Sequence, residues 1–189
     1  MIYNSRERNG NTLWERISSM KKNQTKTASM TEEAGNEVKI AEIIEVLVAN
    51  GRYDLTKECT QHGTNTVYDH CVRVTNLSVR LAKKMNLRVD REELIRGALL
   101  HDYFLYDWHE KDKSHSWHGF THPKTALQRA MEDYHLTEVE QDIIAHHMFP
   151  LTIVPPSHTE AWVVCLADKI CAAQETIEPY AYKLRSKYA

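Results

Sequence analysis

The four cysteines of this 189-residue chain, Cys59, Cys71, Cys165 and Cys171, form no C-x-x-C pair and no spacing of the secreted type. A zinc ribbon or a disulfide framework is therefore not expected, and a reducing, cytoplasmic setting is. Long apolar runs are missing as well. No segment approaches the roughly 20 apolar residues that cross a bilayer, and the opening MIYNSRERNGNTLWERISSMKKNQ has early charges but no continuous apolar stretch. Nor does one sign of charge prevail: 24 basic and 26 acidic residues leave a formal net charge of -2. That balance gives no general attraction to nucleic-acid polymers or anionic membranes. Alternating strand patterns, internal repeats and low-complexity segments are also absent, and the length suits one folded domain with a sizeable core.

What the chain does have is histidine, eleven in all, eight of them between His101 and His147. Around them the apolar periodicity is helical. Residues 1–35 are polar and read as a mobile N-terminal arm, with Leu13, Trp14, Ile17 and Met20 hinting at a short amphipathic helix. From Glu37, Ile40, Ile43, Ile44, Leu47 and Val48 share one face, and Gly51 stands where that helix ends. Val67, Cys71, Val74, Ser78, Leu81 and Met85 predict a second helix over about 66–85, with His70 on or beside its buried stripe. In DREEL, Asp90 and Glu93 form a capping-box pair opening a third helix, whose inner face carries Leu94, Ala98 and His101. A fourth is predicted to start around Pro123, and a fifth at Thr137, paired with Glu140. The prolines of MFPLTIVPP end the fifth, and a last helix over about 159–175 carries Asp168 in register with Ala161 and Val164. The expected fold is all-α, a compact helical bundle over residues 36–178, with 179–189 as a C-terminal tail.

Taken singly, each histidine is best explained as a hydrogen-bonded or solvated side chain; His62, His109, His115, His135 and His158 all lie in polar segments. Taken together, His70, His101, Asp102, one or more of His118 and His122, one or both of His146 and His147, and Asp168 fall at inward or helix-end positions of successive predicted helices. Burying carboxylates without partners is costly, and divalent cations remove that cost. Mixed imidazole and carboxylate donors suit iron or manganese first, with cobalt, nickel and zinc also compatible, and suit magnesium or calcium less.

The order H, HD, H, H, D along a helical framework, over roughly residues 38–176, resembles the HD-domain superfamily of metal-dependent phosphohydrolases. The resemblance implies a helical bundle holding one or two ions, with His70, His101, Asp102 and Asp168 on the first, and His122 and His147 added for a second that shares Asp102. Spacing does not decide between His146 and His147, which point about 100° apart on a helix. HMFPL and HGFTHP resemble small bacterial members of the superfamily and favour His147 as ligand, with His146 beside it as a further candidate. The implied reaction is attack of a metal-activated water on a phosphoryl group, with Asp102 orienting or deprotonating the water and His118 or Lys169 stabilising phosphate charge.

The Gly-Tyr-Pro signature of members that hydrolyse cyclic dinucleotides is lacking after His147, so a stand-alone hydrolase of a small phosphate ester, such as a nucleotide, is expected. Two other functions are compatible with the pattern. The same ligand order resembles the diiron oxygenases of the superfamily, and a helical interaction module could keep the fold without the chemistry. Met148, Phe149 and Leu151 are expected near the ligands as a pocket wall, with Trp108 and Trp117 as an opposing wall.

Overall fold

The computed structural model of the chain describes residues 13–62, 65–105 and 118–188. It is all-helical apart from one small ribbon. In order come α1 (Leu13–Asn50), a short 3-10 helix (Tyr53–Lys57), strands β1 (Thr60–His62) and β2 (Asn65–Thr66), then α2 (Val67–Lys84), α3 (Arg91–Leu100), α4 (His118–Asp133), α5 (Glu138–His146) and α6 (Thr159–Tyr188). The chain divides into two units, Met1–Val38 and Lys39–Ala189. The antiparallel β1–β2 pair was not expected, because five strand residues are too few to show an alternating pattern.

Helix boundaries differ from the expectation wherever apolar periodicity is missing. α1 begins at Leu13, far ahead of the apolar face that opens near Glu37, and α6 continues past residue 175 to Tyr188. α4 starts at His118, leaving Pro123 inside the helix and not in its first turn. A proline has no N–H, so the turn that carries His122 lacks one helical hydrogen bond.

Capping explains the other starts. Thr66 and Asp69 cap α2 reciprocally, and Thr137 and Glu140 do the same for α5. At α3 the reciprocal box expected from Asp90 and Glu93 is replaced by a long-range one. The Asp90 carboxylate accepts from the backbone N–H groups of Glu92 and Glu93, while the Asp90 N–H donates to Glu160 Oε1 of α6 at 2.8 Å. A tertiary carboxylate has taken the place of the local one.

α3 lies at the centre of the Lys39–Ala189 unit. Leu94, Ile95, Gly97, Ala98, Leu99 and Leu100 are all buried, and the helix packs against α2, α5 and α6. Ile40, Ile43 and Leu47 of α1, Val67, Cys71 and Val74 of α2, Ile143 and Ile144 of α5, and Ala161, Val164 and Ala167 of α6 complete the core. Met85, expected on the α2 stripe, is instead exposed at the helix end. Arg96, the one residue of the α3 core segment that is not buried, donates to Glu140 of α5 at 2.9 and 3.1 Å and to the His135 carbonyl at 3.1 Å. The turn after α3 is held by a tyrosine cluster. Tyr103 stacks on Tyr53 and donates to Asp133 at 2.7 Å, and Arg52 grips the same carboxylate in a forked pair at 2.8 Å.

At Gly97 α3 and α5 approach closely: an added Cβ would lie 2.4 Å from Ile143 Cδ1 and 3.2 Å from Ile143 Cβ. Gly97→Ala is expected to destabilise the protein by about 1–3 kcal/mol, the usual cost of overpacking a core. Adding Ile143→Val, which removes the clashing methyl, should recover part of that loss in urea unfolding. Strict additivity of the two substitutions would show that the contact does not limit the approach.

Candidate metal centre

Six of the singled-out side chains meet in one buried place. His70 comes from the first turn of α2, His101 and Asp102 from the turn that ends α3, His122 from α4, His147 from the end of α5 and Asp168 from the middle of α6. None is more than 8% exposed. The ligand atoms of His70, His101 and Asp102 lie within 4.8 Å of one another, and so do those of Asp102, His122 and His147. Asp102 belongs to both groups.

Its two oxygens divide between them. Asp102 Oδ2 faces His101 Nε2 at 3.6 Å and His70 Nε2 at 3.9 Å, whereas Oδ1 faces His122 Nε2 at 3.2 Å and His147 Nε2 at 3.4 Å. Asp168 Oδ1 joins the first group, 3.1 Å from His70 Nε2 and 3.8 Å from His101 Nε2. In the second, the Nε2 atoms of His122 and His147 are 2.8 Å apart.

Helix ends set the direction of two rings. His101 Nδ1 is 2.8 Å from the Ala98 carbonyl, and His147 Nδ1 is 2.9 Å from the Ile144 carbonyl, each three residues back. A carbonyl only accepts, so each ring donates through Nδ1–H to its own helix end. In a neutral ring the lone pair is then on Nε2, directed into the centre. His101 Nε2 is buried and has no hydrogen-bond partner among the described residues. Leaving a buried nitrogen unsatisfied costs about 1–3 kcal/mol. A metal cation satisfies that nitrogen, and the mixed imidazole and carboxylate donors fit a divalent transition metal.

The electrostatics show the same demand for positive charge. Burial disfavours the imidazolium of His70, yet the Asp168 and Glu175 carboxylates outweigh it and raise its pKa to about 10. His101 is also raised, burial being overcome chiefly by Asp102. Burial pushes Asp102 and Asp168 upward, but the surrounding histidines hold both carboxyls below their ordinary range. Burial lowers His147, keeping its ring neutral. Buried carboxylates need a cation nearby, whether a proton or a metal.

The remaining candidates lie elsewhere. His146 bonds through Nδ1 to Asp142, one turn back on α5, and is not part of the cluster. Its neighbour His147 takes the inward direction, as adjacent positions on a helix must diverge. Lys169 Nζ donates to the His147 carbonyl at 2.8 Å and to Cys165 Sγ at 3.4 Å, with Asp168 Oδ2 at 4.0 Å. The backbone of His118 opens α4, but its side chain lies outside the described ones, as do Trp108 and Trp117 altogether. Phe149 does line a pocket, though not at the ligands: it meets Trp162 edge-on at 5.4 Å in an apolar cavity of about 510 Å³ with Leu81, Met85 and Leu166. Leu151 is exposed.

Three carboxylates escaped the sequence reading. Glu175 lies against His70. Asp142 accepts from the N–H groups of Ser157 and His158 and from His158 Nδ1, closing the loop between α5 and α6, and Glu160 holds the start of α3. Glu175 left a legible trace, since it follows Asp168 by seven residues on one helix face. Asp142 and Glu160 left none, because their partners are backbone groups distant in sequence.

A family model described as HD domain matches residues 67–173. Ribonuclease Y from Pseudothermotoga lettingae is 32% identical over 130 residues, which are 66% of this chain and 23% of that protein. The chain thus spans about a quarter of the length of this relative. No solved structure matches.

Since His147 faces the cluster and His146 faces Asp142, the two variants should separate. After manganese loading and desalting, His147→Ala is expected to hold fewer ions per chain than the unmodified protein, and His146→Ala the same number. Equal losses by elemental analysis would contradict the placement of His146.

Proposed function

The chain belongs to the HD-domain family, and from that premise we propose that it is a metal-dependent phosphohydrolase acting on a small phosphate ester, with two ions sharing Asp102. The observation that carries this reading is the division of the Asp102 oxygens, Oδ2 toward His70 and His101 and Oδ1 toward His122 and His147. A carboxylate placed so is suited to bridging two cations. His70, His101 and Asp168 would hold one, and His122 and His147 the other. Iron or manganese suits these donors best, with cobalt, nickel or zinc compatible.

Divalent cations supply Lewis acidity: they lower the pKa of water toward neutrality and offset the charge on phosphoryl oxygens. The protein's own groups do the rest. The carbonyls of Ala98 and Ile144 hold His101 and His147 with Nε2 inward, so no ring has to turn before it can bind. Asp102, whose carboxyl the surrounding histidines hold below its ordinary range, would orient the attacking water. Buried Phe104 meets the His122 ring edge-on at 5.9 Å and keeps bulk solvent from that side of the site, which strengthens the charge interactions there. His118 is one helical turn before His122 on α4, and it is the proposed donor to the substrate phosphate. Lys169 donates to the His147 carbonyl, and its proposed contribution is to hold that ligand.

The kinship with a ribonuclease favours a second reading, in which the ester is the phosphodiester of RNA. Three substrates distinguish the two: p-nitrophenyl phosphate, bis(p-nitrophenyl) phosphate and a short oligoribonucleotide. Release from the first or second alone supports the small ester, and cleavage of the third transfers the assignment to RNA.

Protein purified without added metal should contain about two transition-metal ions per chain, and His101→Ala should lose them. Asp102→Asn should lower kcat by on the order of a thousandfold, because several kcal/mol of charge stabilisation would go with it. No bound ion, even after loading with manganese or iron, would overturn the catalytic reading. Oxygen uptake dependent on substrate would replace hydrolysis with oxygenation.

A further inference from the structure

Both ring nitrogens of His70 face carboxylates, and both carboxylates come from α6. Nε2 is 3.1 Å from Asp168 Oδ1, while Nδ1 is 3.2 and 3.1 Å from the two oxygens of Glu175. Asp168 and Glu175 are seven residues apart, two helical turns, and so stand on one face about 10 Å apart along the axis. The imidazole of His70, reaching across from α2, fits between them. Glu175 is as buried as the ring it touches, both side chains being 0% exposed. Arg73, one turn after His70, reaches Glu175 Oε1 with Nε at 3.6 Å and offsets charge from the outer side.

Resting on the metal-centre reading above, we propose that Glu175 is a positioning residue that prepares His70 as a ligand. A carboxylate at neutral pH only accepts, so contact with Glu175 keeps a proton on Nδ1 and directs the ring through Nδ1–H. A cation beside Nε2 would take that nitrogen's lone pair, its proton passing to water, while Nδ1 stays protonated. The negative charge behind the ring also makes Nε2 more basic, which strengthens its bond to the ion. His101 and His147 receive the same orientation from neutral carbonyls, so His70 alone of the three is backed by a full charge. Its ion should therefore be the more tightly held of the two.

The experiment measures binding of Mn²⁺ and Zn²⁺ to metal-stripped full-length protein by calorimetry, for the unmodified chain, Glu175→Gln and Glu175→Ala. The expected result is weakening of the tighter site by about 10- to 100-fold. Glu175→Gln, which still accepts from Nδ1–H but carries no charge, should fall between the other two, with the weaker site unchanged. A purely structural ion pair would move the melting temperature of the metal-free protein and leave the affinities alike. Affinities within twofold across all three proteins would overturn the role of Glu175 while leaving the metal centre standing; no binding by the unmodified chain would overturn both. If the alanine variant does not fold, ring ¹⁵N spectra of the zinc-loaded unmodified protein decide. Protonated Nδ1 on His70 supports the inference, and protonated Nε2 refutes it.

Discussion

Everything in the folded unit from Lys39 onward is arranged around negative charge that water does not reach. Asp102, Asp168 and Glu175 are buried within the bundle, and a bundle of leucines and isoleucines offers such groups no polar partner. Imidazoles from α2, α3, α4 and α5 face Asp102 and Asp168, and His70 and Arg73 of α2 face Glu175. The price of such a core is that none of the helices supplying these groups, α2 to α6, can be moved without stranding a charge. α2 must bring His70 between two carboxylates, and α3 must stop where His101 and Asp102 can turn inward. α5 must stop likewise at His147. Stability and site geometry are in this sense one constraint, and the packing of apolar residues serves to hold the polar ones in register.

The same device appears twice in the way the ends are made. α3 and α5 each finish on a histidine that hydrogen-bonds the carbonyl three residues before it. The unsatisfied carbonyls at a helix C-terminus ordinarily take water or a glycine-based cap. Here a ring occupies that place, and the termination of the helix and the aim of the ligand are the same hydrogen bond. The tyrosine cluster around Asp133 and Arg52 then fixes the turn beyond the first of these ends, with Tyr103 stacked on Tyr53 immediately after the doublet.

Much of this was legible in the residues. The all-α fold, the buried stripes of α1 and α2 and the cap at Thr137 follow from periodicity and capping chemistry, whereas the choice of His122 and His147 among neighbouring histidines came from the family resemblance. Legibility stopped where a residue's partner is remote. Glu160 serves the start of α3 from 70 positions away, and nothing local distinguishes it from a solvated acid. The choice between His146 and His147 turned on which side of α5 faces α4, a matter of packing that adjacent residues cannot announce. α1 and α6 outran their apolar faces because helix formation does not require a core along its whole length.

Asp142 has a consequence for how this protein can vary. It ties the last turn of α5 to residues 157 and 158 through a side-chain carboxylate and two backbone N–H groups, while Lys169 secures the His147 carbonyl from the other side. Between these knots Leu151, Ile153 and Val154 stand out into solvent, Ile153 almost entirely. The loop is thus anchored at its base, while the side chains at its tip face solvent. Its sequence can drift, and with it the face offered to whatever approaches, without a change reaching the histidine a few residues away. Such a division lets one inherited centre acquire new neighbours while its own geometry stays constant.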